Sequence, residues 1–421
     1  MARILCITSN YPPHHVGGYE VSCADVMERL VERGHEVAVL TSDERRPGVA
    51  DPPDEREAAP SVHRDLRRYY RDDDLWAPGP YGRWRIERRN IAATRRALAA
   101  ARPDVVAVWH VGAFSLSVLD VVIRSGVPIV YAISDDWLSY CTVLDRWLTM
   151  VDRLGAVGRA LGRLAGVPTS PPEIGTSGAF GFISECTQQR AEELTPWSFP
   201  ISTIVYSGFD GRRYTPRPVT PAWRWRLLYV GRLDARKGIE TAVRAMAHLP
   251  PEAVLEVQGT GDPAEEERLS AIGRELGLDD RLVFGRVARG ELPDRYRDAD
   301  VCVFPSEWVE PFGLVPLEAM ACGVPTVATG VGGSGEFLVD GRNCVRFEPG
   351  DPVALADAVR RVATDADLRA RLVPDGLATA AYFDVERLTD CLEAWYAAAA
   401  RGYPDGFPPS RRFTLGAPSG G

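Results

Sequence analysis

The sequence predicts an α/β protein made of two doubly wound, Rossmann-like domains, each a parallel sheet covered by helices. Three observations carry this. Short apolar segments alternate with amphipathic ones along most of the chain. The alternation restarts after Gly208–Trp225, a stretch rich in Pro, Arg and Thr. And 421 residues are too many for one ordinary domain but comfortable for two.

In the first half, Arg3–Ser9 reads as a buried strand. Tyr19–Arg33 has helical apolar spacing and stops at Gly34, a glycine suited to the position after a helix end. Glu36–Thr41 is the next strand. A helix over Arg85–Ala101 stops before Pro103, and strands follow at Asp104–Trp109, Pro128–Ile133, Ala179–Ser184 and Ser202–Tyr206. Apolar strands separated by helices imply a parallel sheet buried on both faces. Two segments interrupt this domain: Arg45–Trp84, charged, Pro-rich and aromatic, and Ser139–Gly178. The second holds an amphipathic stretch, Trp147, Leu148, Val151, Leu154, Val157, Leu161 and Leu164.

The second half predicts strands at Arg226–Val230, Val254–Gln258, Leu282–Phe284, Val301–Pro305 and Thr326–Thr329. Its helices are Ile239–Leu249, Ala264–Leu276, Leu292–Asp298 and one around Pro316–Cys322. The expected division is 1–207 and 208–384, with a last helix over 385–402 completing the first domain and a loosely ordered Gly/Pro/Ser tail over 403–421. Two such domains side by side create a ligand cleft at the carboxyl ends of their sheets.

A formal charge of −9 argues against a general nucleic-acid binder. The N-terminus runs straight into a strand pattern with no signal-peptide apolar region, and no apolar run is long enough to span a membrane. The eight cysteines lack paired CxxC spacing and sit mostly in apolar segments, so reduced thiols and a cytoplasmic protein are expected. Of the 49 basic residues one is lysine, Lys237. In a chain that otherwise uses arginine, that position invites attention.

The chemistry concentrates in two segments. In Val301–Thr329, a strand ends at Pro305, a loop carries Glu307 and Glu310, and Gly313 admits close backbone approach where a helix starts near Leu314. Gly323 closes that helix and Pro325 prevents its continuation. The free N–H groups of its first turn suit a phosphate. Glu310 and Glu318 can accept from sugar and ribose hydroxyls, whereas Glu307 reads as an ordinary surface acid. The second segment, Gly231-Arg232-Leu233-Asp234-Ala235-Arg236-Lys237-Gly238, follows a strand and opens a helix. Arg232 and Lys237 can reach an anion there, a fork and a movable point charge suited to a diphosphate; Arg236 reads as solvated.

The stretches GRLDARKGIETAVRAM and EPFGLVPLEAMACGVPTVAT resemble the signature of the GT4 family of retaining, nucleotide-sugar-dependent glycosyltransferases, including its E-x7-E motif. The resemblance implies a GT-B fold. It implies that Arg232 and Lys237 hold the diphosphate, that Glu310 meets donor-sugar hydroxyls, and that Glu318 meets the ribose. It implies that the Phe312, Gly313 and Leu314 backbone holds sugar and phosphate, with Gly231 in the same donor loop, and that Gly285 and Arg286 form the base-binding turn. In the first domain, Pro12–Glu20 resembles the family's Gly-Gly loop, whose Gly17 and Gly18 would approach donor phosphate or acceptor, with Glu20 on the acceptor side. His110 matches a cleft histidine near the donor sugar and Asp135 an acid near the acceptor; a strand-end cap is the plainer reading of Asp135. Tyr382–Glu386 resembles the crossing of the last helix back to the first domain. The chain departs from the pattern at Ser134 and Val108, where histidines are frequent, and at Cys344, where glycine is usual.

The implied reaction displaces a nucleoside diphosphate from an anomeric carbon through an oxocarbenium-like transition state, so the useful catalyst is a preorganised cationic site for the leaving group. Neither DxD triplet, Asp72–Asp74 or Asp298–Asp300, has the setting of a metal site, and no metal or other cofactor is expected beyond the nucleotide sugar. Rival readings are a GT-B sugar phosphorylase or epimerase, a non-catalytic nucleotide-sugar-binding module, and a dinucleotide oxidoreductase, for which Gly259-Thr260-Gly261 is only a lone GxG. The arginine and aromatic residues of Arg64–Arg96 fit a peripheral membrane contact less well than an acceptor cleft or a solvated helix face. Base, sugar, acceptor and oligomeric state have no signal in the sequence.

Overall fold

A computed structural model of the protein describes residues 1–15, 17–71, 74–217, 222–402 and 413–415. The chain forms two compact units, Met1–Ser207 with Val385–Arg411, and Gly208–Asp384 with Arg412–Gly421. Val16, Asp72, part of the Pro-rich join and most of the tail beyond Gly402 lie outside the described residues.

The first unit runs β1 (Arg3–Thr8), α1 (Gly18–Glu32), β2 (Glu36–Ser42), β3 (Ser61–Leu66), a small hairpin of β4 (Tyr70–Arg71) and β5 (Asp74–Leu75), then α2 (Pro80–Ala101) and β6 (Val105–His110). It continues through α3 (Ser117–Ser125), β7 (Ile129–Ile133), α4 (Trp137–Leu144), α5 (Arg146–Leu164), β8 (Ala179–Phe182), α6 (Glu185–Leu194) and β9 (Ser202–Ile204). Seven strands pair in parallel in the order β3-β2-β1-β6-β7-β8-β9. β1 and β6 are buried almost throughout, as strands covered on both faces must be.

The edge strand β3 is a correction: the sequence pattern places it inside an insertion. Its inward positions are Val62, Arg64 and Leu66, and the charged middle residue hides the alternation. Arg64 is buried, donates to the carbonyls of Tyr11 and Pro12 at 3.0 and 2.7 Å, and pairs with Glu55 at 3.0 Å. Tyr69 is buried too, donating to Glu87 at 2.6 Å. The segment Arg64–Arg96 is therefore not one surface. Buried Glu87 also accepts from Ser115 and Ser117, joining α2 to the start of α3. Asp145 accepts from the backbone N–H groups of Leu116, Trp147 and Leu148, tying the same region to α5. Burial pushes both carboxyls upward, and the charge of Asp145 adds to the effect on Glu87.

The second unit holds β10 (Arg226–Val230), α7 (Ile239–Ala245), β11 (Val254–Gln258), α8 (Pro263–Glu275), β12 (Leu282–Gly285), α9 (Leu292–Asp298), β13 (Val301–Phe304), α10 (Leu314–Ala321), β14 (Thr326–Ala328), β15 (Val345–Arg346), α11 (Pro352–Thr364) and α12 (Ala366–Tyr382). Its strands are parallel in the order β12-β11-β10-β13-β14-β15. A 3-10 turn, Met246–His248, ends the first helix earlier than its apolar spacing suggests. β15, α11 and α12 have no counterpart among the sequence-predicted elements; Pro374 inside α12 obscures its period.

The last helix, α13 (Val385–Ala400), belongs to the first unit. Its Leu388, Leu392, Trp395 and Tyr396 pack with Ile4, Cys6, Cys23 and Val26 of β1 and α1. Each fully buried side chain of this size contributes about 1.5–3 kcal/mol. Charges flank that seam: Arg29 reaches Glu386 at 2.7 Å, and Arg33 reaches Glu386 and Glu393 at 2.9 and 2.6 Å. All eight cysteines are free thiols. Among the described residues no helix is long and apolar enough to cross a membrane.

Candidate active site

In the second unit, β10 ends at Val230 and the chain passes through Gly231 and Arg232 to a 3-10 turn, Ala235–Lys237, capped by the Asp234 carboxylate. Gly238 follows in the left-handed region (φ 67°); a Cβ there would lie 1.9 Å from the Pro305 carbonyl oxygen, so only glycine brings this turn against the end of β13. The close approach sets Lys237 beside Glu310. The lysine Nζ donates to both carboxylate oxygens, at 2.6 and 3.0 Å. Glu310 Oε2 also accepts from Ser306 and from the Trp308 indole, each at 3.1 Å. Its backbone is held in turn by Gly333, whose N–H donates to the Glu310 carbonyl at 2.7 Å.

Ser306, Trp308 and Gly333 touch Glu310 and are residues that the sequence reading misses. Trp308 carries a second load: the Arg236 guanidinium lies 4.5 Å above its ring. Arg236 is thus not merely solvated. It also pairs with Asp234 at 2.7 Å, and that hydrogen bond holds the Asp234 carboxyl down at about 2. Arg232 is half exposed, 4.0 Å from Asp234, its guanidinium otherwise uncommitted among the described residues.

Phe312 is buried against Phe337 and Phe383, which anchors the loop before α10. Gly313 (φ 93°) turns the chain, and α10 starts at Leu314 with no side chain capping its first N–H groups. Those donors remain for a ligand, and the helix end carries a partial positive charge. Glu318, one turn in, is buried and accepts from Tyr214 at 3.0 Å and Tyr296 at 2.8 Å; these tyrosines, too, lie outside the sequence motifs. Each carboxylate oxygen keeps acceptor capacity beyond that one bond. Glu307 accepts from Thr241 at 2.6 Å. Gly285 ends β12 and Arg286, exposed, pairs with Glu266 at 2.8 Å. Of the second DxD triplet, Asp300 is buried and accepts from the backbone of Arg224 and Arg226. Asp72 of the first triplet is outside the described residues.

The first unit gathers a different cluster. His110 ends β6, nearly buried. Its Nδ1 is 2.6 Å from the Ser9 hydroxyl, and its Nε2 is 3.1 Å from the Tyr140 hydroxyl and 3.3 Å from Asp135. Asp135 follows β7 and does two things. It accepts from the Trp137 N–H at 3.0 Å, which starts α4, and from Tyr140 at 2.8 Å while facing His110. Burial works to raise the Asp135 carboxyl, but His110 and the Tyr140 and Trp137 donors outweigh it and hold it below the usual range. Burial, then the Asp135 charge, pushes the Tyr140 phenol well up, so it stays a donor. Tyr19, from the first turn of α1, bonds Ser9 at 3.0 Å and lies 4.8 Å from the His110 ring. Gly17 precedes α1 and donates to Glu20 at 2.8 Å; Gly18 is its first residue. Glu20 is thus a buried helix-start cap. Ser9 and Tyr140 give no motif of their own in the sequence, and Tyr19 lies in the Pro12–Glu20 stretch without being singled out there.

Two parallel α/β units, one presenting a cation–carboxylate pair in the loop before an uncapped helix start, place the chain in the doubly wound class. Comparisons carry this further. Residues 16–165 match the model described as Glycosyltransferase Family 4, and residues 217–377 the one described as Glycosyl transferases group 1. The chain is 38% identical over 181 residues to a D-inositol 3-phosphate glycosyltransferase of Xylanimonas cellulosilytica, a match covering 42% of the chain and 43%, less than half, of that protein. It is 29% identical to a glycogen synthase of Mycobacterium tuberculosis, over 95% of both. The Anabaena protein Alr3699/HepE, solved with UDP and glucose, has the same fold at a TM-score of 0.68 and 19% identity, covering 93% of this chain and 98% of that one. Both halves of the chain thus match models of GT4-type glycosyltransferases, and the fold is GT-B.

Proposed function

We propose that the protein moves a sugar from a nucleoside-diphosphate sugar to an acceptor hydroxyl, with retention of anomeric configuration and without a metal. The observation that carries this is the Lys237–Glu310 pair beside the uncapped start of α10. The pair stores a cation for the diphosphate and an acceptor for sugar hydroxyls in one place. When the donor binds, its diphosphate takes over Lys237, joined by Arg232 and the helix N–H groups. Glu310 turns to the sugar hydroxyls and Glu318 to the ribose. The bond from the anomeric carbon to the diphosphate oxygen breaks, and the acceptor oxygen forms its bond on the same face. The acceptor proton goes to the departing phosphate oxygen. The protein's part is charge stabilisation of that leaving group. His110, with Ser9, Tyr140 and Asp135, forms a preorganised donor–acceptor chain suited to sugar hydroxyls.

Metal independence is supported by the use of the Asp300 carboxylate as a backbone cap. A cytoplasmic site of action is supported by eight free thiols. The test is a calorimetric screen of UDP, GDP, ADP and dTDP, headed by UDP because the Anabaena neighbour was solved with it. Incubating the enzyme with donor alone tests for epimerisation, and supplying inorganic phosphate as the only co-substrate tests for phosphorolysis; transfer needs an acceptor hydroxyl in place of either. Product NMR showing an inverted anomeric centre, or activity abolished by chelator and restored by a divalent cation, would each overturn its part of the proposal.

A further inference from the structure

The first unit carries an apolar face that its own fold leaves uncovered. α5 is divided at Gly155, whose backbone is non-helical (φ 57°, ψ −130°). Before the kink, Trp147, Leu148 and Val151 enter the core, and the Trp147 indole donates to the Pro168 carbonyl at 2.8 Å. After it, the buried positions are Gly158 and Gly162. A Cβ on Gly162 would come within 2.5 Å of Thr169, so the helix lies flat on the unit by its glycine edge. The large apolar side chains beyond the kink are consequently turned out, Val157, Leu161 and Leu164 being 64%, 55% and 87% exposed, and Leu154 just before it is 49% exposed. Tyr81 and Trp84 at the start of α2, rings 5.6 Å apart, stand beside them. Between the two helices lies an open groove of about 410 Å³, lined by Trp84, Leu154, Leu161 and Leu164.

The charge around this face is one-sided. Arg153, Arg159 and Arg163 of α5 are exposed, and none is ion-paired among the described residues. Arg85 and Arg88 are exposed on α2, with Arg85 over the Tyr81 ring at 5.9 Å. The acids of the two helices are Asp152, and Glu87, which is buried. This is a cationic rim in a chain of net charge −9.

We propose that this face docks on an anionic lipid surface, with the second half of α5 lying in the interface. The helix does not have to cross the bilayer: Val157, Leu161 and Leu164 share one side of it and enter the acyl boundary together. Tyr81 and Trp84 take the headgroup level, where aromatic rings with a polar edge settle. The arginines reach lipid phosphates, each adding attraction that salt screens. A second copy of the chain fits less well, because a two-fold contact through this face brings the same unpaired arginines against each other. The sequence alone points any membrane contact to Arg64–Arg96; the fold buries the first part of that stretch and assigns the contact to α5 and the start of α2.

The test is cosedimentation of the full chain with vesicles of phosphatidylcholine and phosphatidylglycerol, and with vesicles of phosphatidylcholine alone. Binding is expected to the first, to weaken with added salt, and to fall about ten-fold or more in Leu161→Glu/Leu164→Glu. Thermal unfolding checks that this variant is folded. Arg159→Glu/Arg163→Glu, wholly on the surface, is expected to lose the preference for anionic vesicles and serves if the first variant is not. No binding at low salt, equal binding to both vesicle types, or unchanged binding by both variants overturns the proposal. So does a dimer, seen by light scattering, that the leucine replacements dissolve.

Discussion

The two polar clusters of this protein are built on opposite principles. In the second unit, Lys237 and Glu310 meet as full charges across 2.6 Å, partly open to solvent, on turns whose glycines let backbones touch. In the first, His110 sits in a chain of hydroxyls and one carboxylate, almost wholly buried, and among the described residues no lysine or arginine bonds to it directly. An ion pair can be exchanged for a charged ligand with little loss of hydrogen bonding. A buried hydroxyl–imidazole chain keeps its geometry whether or not a ligand is present. The first arrangement suits the capture and release of a diphosphate, the second the orientation of sugar hydroxyls.

That contrast can be broken by substitution. Lys237→Ala has the largest expected effect, a fall in kcat/KM of about a thousand-fold, since it removes the leaving-group cation and leaves Glu310 without its ion-pair partner. Steady-state assays with the preferred donor check it; nucleoside-diphosphate affinity by calorimetry should fall with it and become less salt-sensitive. If Lys237→Ala lowers only thermal stability, the pair is structural. His110→Ala is expected to lower turnover about a hundred-fold while leaving diphosphate affinity unchanged in calorimetry. Loss of diphosphate binding in this variant would erase the division of labour.

Tyr140→Phe should cost about ten-fold in turnover, because it acts through His110 and Asp135. It also removes a donor that holds the Asp135 carboxyl down. Asp135 has a depressed folded-state pKa, so its stabilisation is present above the unfolded value and is lost as pH falls through the folded one. Without Tyr140 that loss is expected at higher pH, read from unfolding midpoints across the acid range.

Glu87→Gln should leave turnover nearly unchanged, being outside both polar clusters, and alter only the pH dependence of stability. The Glu87 carboxyl is raised by burial, so the folded state holds its proton more tightly than the unfolded chain. Stability contributed there is present at low pH and declines as pH rises through the folded value. The variant is expected to flatten that decline, seen as a higher unfolding midpoint than the parent in mildly alkaline buffer.

The same contrast explains what could be read from residues alone. Lys237, Glu310, Gly313 and Glu318 lie in two short runs where backbone geometry and chemistry coincide, so local spacing announces them. Ser9, Tyr19, His110, Asp135 and Tyr140 come from the ends of three strands and two helix starts. Their meeting depends on sheet order, which no local pattern encodes. Most parallel strands were legible because burial on both faces makes them uniformly apolar. β3 was not, since Arg64 occupies an inward position and finds its partners among distant carbonyls. In α5 the apolar spacing was visible, but it took the kink at Gly155 to separate residues that fill the core from residues that face out.

The placement of α13 carries a consequence for how the chain is made. Trp395 and Tyr396 fill the core beneath β1 and α1, yet they are translated after every strand and helix of the second unit. At about 5–20 residues per second, roughly ten to forty seconds separate the emergence of β9 from that of α13. All the strands and helices of the second unit are made before the first unit receives its last helix, so the order of completion runs against the order of synthesis. During that interval β1, α1 and their unfilled pocket are open, and it is the nascent N-terminal half that a chaperone would have to shield.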